Sequence, residues 1–398
     1  MEKSHQAKLW FSSYDFSNSG FLVMFQSFLF PLVFANIYSN QTGESAVIIW
    51  PWLVAGSSIL AIILAPFTGK LGDLLGKWKV FTWCVCLAGI LGIFSQLLTN
   101  FSWLLVALFF LLFNTAFELS QSLYDAFLLN IEKEKDGITK LSSFAWGFGY
   151  LGGALFAIIY FIMEGLGLSH TLMLIVFGIL YLLLSSPSIF GFKRIEKRDL
   201  TSTNVIDWKK IFHPTIPVPW SHLFVYWIIA DCVAALIYFV PLYLQSELLL
   251  SMNLVGGIIL GAQLLAFPLT ILMGRLAIKI GRIKTIQVSL FIWIATLLGL
   301  FFATSVTHVL IIALLMSFVI GSTQAILRAH FASRIHEEKS GEGLGFYAVA
   351  QKSASVISPL LVGLTITLTG NLRPAFLILT LLVVIAFFLA PQLHKKAS

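Results

Sequence analysis

The sequence predicts an all-α membrane protein: twelve transmembrane helices in two pseudo-symmetric six-helix halves. Three observations predict it. Charged residues make up 11% of the 398 and hydrophobic ones 58%, against about 25% and roughly 45–50% in ordinary soluble domains. Apolar runs able to cross ~30 Å of hydrocarbon, about 20 residues each, recur twelve times along the chain. One polar motif also appears twice, after the second run and after the eighth. A soluble core could not hide this much apolar surface, so lipid must solvate it; mean hydropathy is +0.92.

The first run, 10–38, opens on the polar cluster "SSYDFSNSGF". It is too long and too aromatic for a signal peptide and no small-residue cleavage site follows, so it is expected to be retained. Spans at 46–68, 80–99, 102–127, 142–163 and 171–192 complete the N-terminal half, residues 1–192. The polar stretch 193–219 reads as a cytoplasmic linker, in which Pro214, Pro217 and Pro219 bar a helix before the next span. The C-terminal half, 220–398, carries runs at 221–245, 252–273, 285–304, 307–329, 344–368 and 373–391.

Lys and Arg in short loops stay on the cytoplasmic side. With the N-terminus inside, all of the 25 except Arg373 and Lys352 fall in inner loops or tails. Both termini are therefore expected in the cytoplasm. The net charge of +7 is then a topology signal, and no nucleic-acid partner is expected. Cys84, Cys86 and Cys232 lack the spacing of a zinc or disulfide framework. The histidines are scattered without metal-ligand spacing, which argues against a membrane enzyme; no metal and no cofactor are expected. "GFGYLGG" at 147–153 echoes a dinucleotide fingerprint but lacks the strand before it.

The repeated motif is "GKLGDLLGKWK" at 69–79 and "GRLAIKIGRIK" at 274–284. Gly69 aligns with Gly274, Lys70 with Arg275, Gly76 with Gly281, Lys77 with Arg282 and Lys79 with Lys284. Duplicated six-span halves are the plan of many transporters, with the solute near the midplane. The first copy resembles the loop motif of the major facilitator superfamily. "SSYDFSNSGF", "SSFAWGFGYLGGAL" at 142–155, "GSTQAILRAHFASRI" at 321–335 and "GFYAVAQKSASVISPLLVG" at 345–363 further resemble the vacuole-effluxer branch, the autophagy-related amino-acid effluxers and their bacterial relatives. Ser17 and Gly20 stand where that branch usually has alanine, and Ile278 stands where the first motif has Asp73. The resemblance implies that Asp73 docks on the start of the eleventh span, at "SGEGLGF", and holds the cytoplasmic side closed, where a helix N-terminus favours a carboxylate.

Ionisable residues inside spans cost ~2.5–3.5 kcal/mol at a helix centre and are functional candidates by default. Asp15, Asn18, Leu22 and Gln26 share a face of the first span at 3.6-residue spacing, and Glu118, Gln121, Ser122 and Asp125 share one on the fourth. Asp231 lies ten residues into the seventh span and Lys352 in the eleventh. Asp231, Lys352, Glu118, Gln121, Asn18 and Gln26 are the candidate solute and proton site, against the alternative of a static buried ion pair. Asp15, Asp125 and Arg328, with Gly69, Asp73, Gly76, Lys77, Lys79, Gly274, Arg275, Gly281 and Arg282, are candidate gating residues. Gly147, Gly149, Gly152 and Gly153, with Gly256, Gly257 and Gly261, read as close-packing positions, and the aromatic-rich segments as mostly lipid-facing.

The expected function is secondary active transport of a small polar solute by alternating access, in a monomer in the bilayer of a bacterial inner membrane. The resemblance implies amino acids and export. No phosphate-binding Gly-x-x-x-x-Gly-Lys-Ser/Thr loop is present, so protons are the expected drive. A transport-dead sensor or lipid scramblase on the same fold, and a transporter of another metabolite class, stand as alternatives.

Overall fold

In the computed structural model, residues 2–44, 46, 49–94, 101–196, 220–369 and 371–394 are described; the prolines of the predicted linker lie outside them. Among the described residues, every predicted span falls on helix. The first is α1 (Glu2–Phe21), a π-helical stretch (Leu22–Leu29) and α2 (Phe30–Thr42). Then come α3 (Ile49–Leu75), α4 (Lys77–Phe94), α5 (Trp103–Ala126), the short α6 (Leu128–Ile131), α7 (Lys135–Gly165) and α8 (His170–Ile195). The C-terminal helices are α9 (Trp220–Ser246), α10 (Met252–Ile280), α11 (Arg282–Phe302), α12 (Val306–Val319), α13 (Ser322–Ala332), α14 (Ser340–Thr369) and α15 (Arg373–Leu389). Among the described residues, 10 helical stretches are long and apolar enough to span a membrane. The other two predicted spans lie on α9 and α14, of 27 and 30 residues, ample at 1.5 Å per residue.

Three sequence expectations need correction. The repeated motif is largely helix: α3 runs on through Gly69 and Asp73 to Leu75, and only Gly76, at φ +108°, breaks it before α4. The second copy behaves alike, with Gly281 at φ +96° between α10 and α11. Polar residues carry no hydropathy signal, so the sequence reads as loop. Likewise α7 begins at Lys135, seven residues before the apolar run. The first span is not uniform α-helix either, since Gln26 sits in the π-helical stretch, a form that often marks functional positions.

The chain divides into two compact units. The N-terminal unit holds residues 1–133, 148–215 and 335–349, and the C-terminal unit 134–147, 216–334 and 350–398. Helices α7 and α14 each contribute one end to each unit.

Within the N-terminal unit, aromatic rings form the core. Phe21 stacks on Phe25 and on Tyr181 at 4.4 Å each, Tyr14 meets Phe81 at 5.0 Å and Tyr124 at 4.6 Å, and Phe127 stacks on Phe192 at 4.0 Å. All eight are buried, whereas Trp52, Phe161 and Phe190 are outward as expected. Each such pair adds about 0.5–1.5 kcal/mol beyond area burial, which explains why these segments turn their rings inward. Serine pairs close the α1–α8 seam, Ser13 with Ser188 and Ser17 with Ser185, both at 2.8 Å. Gly152 admits the Phe16 backbone and Gly149 the Ser19 hydroxyl, as their packing role requires.

The C-terminal unit packs α10 on α12, α11 on α15 and α9 on α15. Tyr243 on α9 donates to the Leu300 carbonyl at 2.8 Å, and Trp293 on α11 to Thr323 Oγ1 at 3.2 Å. Gly147 lies against the Phe267 carbonyl. Gly257 and Gly261 have nothing near a would-be Cβ among the described residues.

Candidate functional site

The first motif copy builds a clasp on the start of α14. Because α3 continues through it, Gly69 and Asp73 lie one turn apart on the same face. Asp73 Oδ1 accepts from the Gly341 amide at 3.0 Å and Oδ2 from the Glu342 amide at 2.9 Å. Those are first-turn amides without intrahelical partners, and a carboxylate there also meets the positive end of the helix dipole. Gly69 is required by the approach, since a Cβ would collide with the Gly341 carbonyl. Gly345, one turn on, also lies close to the Ala65 carbonyl.

Cations complete the clasp. Lys77, 6% exposed, donates to Ser340 Oγ at 2.6 Å and the Glu337 carbonyl at 3.3 Å. Lys70 pairs with Glu342 at 3.4 Å. Gly76 turns the chain so that α4 starts against Glu196, which accepts from the Lys77 amide at 2.6 Å and the Trp78 amide at 3.1 Å. Lys79 is exposed and outside this network. Sequence reading missed Glu196 and Ser340. Both are ordinary polar residues, and only their distant partners give them meaning.

In the C-terminal unit the second copy meets the first turns of α7. A Cβ on Gly274 would collide with the Ser143 side chain. Arg282 donates to the Ala329 carbonyl at 3.0 Å and Ser333 Oγ at 2.8 Å, closing the end of α13. Arg275 is exposed. Arg328, only 1% exposed, donates from Nε to Ser142 Oγ at 2.9 Å and from Nη2 to the Ser142 carbonyl at 3.1 Å, and lies 5.5 Å over the Trp146 ring.

The candidate solute residues divide between the units. In the N-terminal one, Asp15 is buried and accepts from the Tyr124 hydroxyl at 2.7 Å, not lying open at the interface. Asn18, Glu118 and Asp125 are buried and Gln121 half-buried. The Asn18 Oδ1 and Gln26 Oε1 atoms are buried without a hydrogen-bond partner among the described residues. In the C-terminal unit, Asp231 is wholly buried at 0% exposure, and Lys352 is half-buried. Gln351 donates to Gln324 Oε1 at 3.1 Å, a half-buried amide pair beside Lys352 that was legible only as two glutamines in separate motifs.

Residues 222–396 match the sequence model of the Major Facilitator Superfamily. The "Uncharacterized MFS-type transporter YxiO" of Bacillus subtilis is 25% identical over 97% of this chain and 94% of its own length. "Autophagy-related protein 22" of Yarrowia lipolytica is 28% identical over 39% of this chain and 28% of its own. Among solved structures, the human organic anion transporter MFSD10 superposes with a TM-score of 0.75 at 15% identity, over 97% of this chain and 98% of its own. A bacterial homologue of the iron transporter ferroportin also scores 0.75, at 16% identity over 99% of both chains. The transporter FucP in its outward conformation scores 0.73, at 13% identity over 100% and 99%. The fold is the major facilitator fold.

Proposed function

We propose that this chain, built on the major facilitator fold, is a secondary transporter that moves a small polar solute by alternating access, with amino acids as the first solute class and protons as the coupling ion. One observation carries the reading: Asp231 is wholly buried in the middle of a membrane-length apolar helix, where an ionisable residue is costly and a functional candidate by default. A carboxyl group there is chemically able to take a proton or a solute ammonium. Lys352, in the same unit, is suited to a solute carboxylate. Glu118, Gln121, Asn18 and Gln26 supply the N-terminal unit's share. Amino acids are favoured by the motif resemblance and by the partial similarity to autophagy-related protein 22. Proton coupling is favoured by the fold's likeness to FucP, a fucose:proton symporter, and to the proton:xylose symporter XylE.

The Asp73 clasp, with Gly76 and Lys77, is the gate on the cytoplasmic side, both termini facing the cytoplasm of a bacterial cell. Asp15, Asp125 and Arg328, with the residues of the second motif, complete it. The test is flux in proteoliposomes with a panel of labelled amino acids, with and without an imposed pH gradient, comparing wild type with Asp231→Asn and Lys352→Ala. Gradient-driven flux of one solute class, lost in either variant, is the expected result. Flux untouched by both moves the site elsewhere, and no amino-acid flux overturns the solute class.

A further inference from the structure

We infer that the end of the N-terminal unit bearing the first motif holds one anionic phospholipid, its phosphate on Lys193, Arg194 and Lys79 and its chains against α4 and α8. The inference rests on the membrane placement of these helices and not on any solute.

The outward faces of the two helices lead to it. Lys79, Trp83 and Leu87 are exposed on α4, and Leu183, Phe190 and Arg194 on α8; these spacings set each group on one helix face. The helices pack side by side. Trp78 Nε1 donates to the Ile189 carbonyl at 2.6 Å, which puts the start of α4 beside the end of α8. Both stripes therefore carry their cations at the same end. One turn deeper both are aromatic, with Trp83 57% and Phe190 66% exposed. A surface that is cationic at the rim and apolar below it matches an amphiphile with a negative head.

The cations are held in place while staying accessible. Lys193 Nζ lies 5.1 Å from the centre of the Trp78 ring, and the Arg194 guanidinium 5.8 Å from that of Trp10. Trp78 is fixed by its bond to Ile189, and Trp10 lies so close to α8 that a Cβ on Gly191 would collide with its ring. Each indole face attracts the cation above it, and both cations remain exposed. The neighbouring carboxylate, Glu196, is turned to the Lys77 and Trp78 amides at the start of α4. Basic clusters at a span end draw anionic headgroups, and a guanidinium can offer a phosphate two parallel hydrogen bonds. A choline head brings its own positive charge to the same cations, so phosphatidylcholine is the discriminating comparison.

The test is native mass spectrometry of the whole protein in detergent, titrated with dioleoyl phosphatidylglycerol or dioleoyl phosphatidylcholine. Wild type is expected to bind one phosphatidylglycerol about tenfold more tightly than phosphatidylcholine. Lys193→Gln with Arg194→Gln should weaken phosphatidylglycerol about fivefold for each cation removed, and adding Lys79→Gln should weaken it further; phosphatidylcholine should be unaffected. Lys135→Gln with Lys140→Gln removes the same charge from exposed positions on α7 and should change neither lipid. All these side chains are exposed, so the variants are expected to melt with wild type. Equal affinity for the two lipids in wild type overturns the site, as does phosphatidylglycerol binding untouched by loss of Lys193 and Arg194. An equal loss in both double variants also overturns it, since net charge alone would then explain the binding. If millimolar inorganic phosphate displaces the lipid, the chains add nothing, and a free anion replaces phospholipid as the occupant.

Discussion

Gly69 and Gly341 meet backbone to backbone: a Cβ on either would collide with the carbonyl of the other. Neither residue is needed for φ, since neither lies in the left-handed region; space alone excludes a side chain. Gly69→Ala is therefore expected to push α14 off its seat and cost about 1–3 kcal/mol as overpacking. The check is thermal unfolding in detergent, together with labelling of a single cysteine introduced as Leu344→Cys on α14, which is buried in the wild type and should label faster in the variant.

Gly281 demands glycine for the opposite reason. Nothing lies near its would-be Cβ, but its φ is +96° and ψ 144°, a region nearly closed to other residues. Gly281→Ala should cost about 1–3 kcal/mol as backbone strain and leave labelling at Leu344→Cys unchanged, a contrast with Gly69→Ala that melting and labelling together can read.

Asp73→Asn keeps the size of the side chain and removes its charge. One of the two first-turn amides of α14 would then face an amide nitrogen, leaving a donor unsatisfied. The expected loss is about 1.5–3 kcal/mol, the worth of hydrogen bonds to a charged group. Asp73→Asn should therefore destabilise more than Lys79→Ala, whose side chain is exposed; equal melting shifts for the two would refute the clasp.

Glu247 makes a cap at the other end of the C-terminal unit. It accepts from the Leu372 amide at 2.6 Å, opening α15, and pairs with Arg373 Nε at 3.2 Å. The basic residue that the topology count left outside is thus held by a partly buried carboxylate. Glu247→Gln is expected to lower stability by about 1–2 kcal/mol, with Arg373→Gln costing less because the cap survives. Differential scanning fluorimetry of the two variants checks the order.

The span count was legible because a helix crossing lipid must satisfy its own backbone and clothe itself in apolar side chains, and hydropathy reads that clothing directly. The repeat was legible because "GKLGDLLGKWK" and "GRLAIKIGRIK" still align. Helix ends were not, because Gly69–Leu75 and Lys135–Leu141 leave the apolar runs while staying helical. The π-helical stretch around Gln26 was invisible, since winding leaves no compositional mark. Asp73 was placed through resemblance alone. Arg328 was read as a gate residue, yet its partner Ser142 lies 186 positions away, and no spacing rule reaches that far. The inward-turned rings of Phe21, Phe25 and Tyr181 defeated the reading that aromatics face lipid, because composition does not say which face of a helix a ring occupies.

The capping pattern bears on how the two halves have aged since they were one sequence. In the first, carboxylates sit on helix beginnings, Asp73 on α14 and Glu196 on α4. In the second, guanidinium groups sit on helix ends, Arg282 on the Ala329 carbonyl and Arg334 on the Leu393 carbonyl, beside Glu247 on the beginning of α15. The two motif copies share their glycine seats and differ in their fastenings, so the halves are not interchangeable parts. A consensus sequence made by averaging them would blend an acid with an aliphatic at 73 and 278, and would inherit neither set of fastenings.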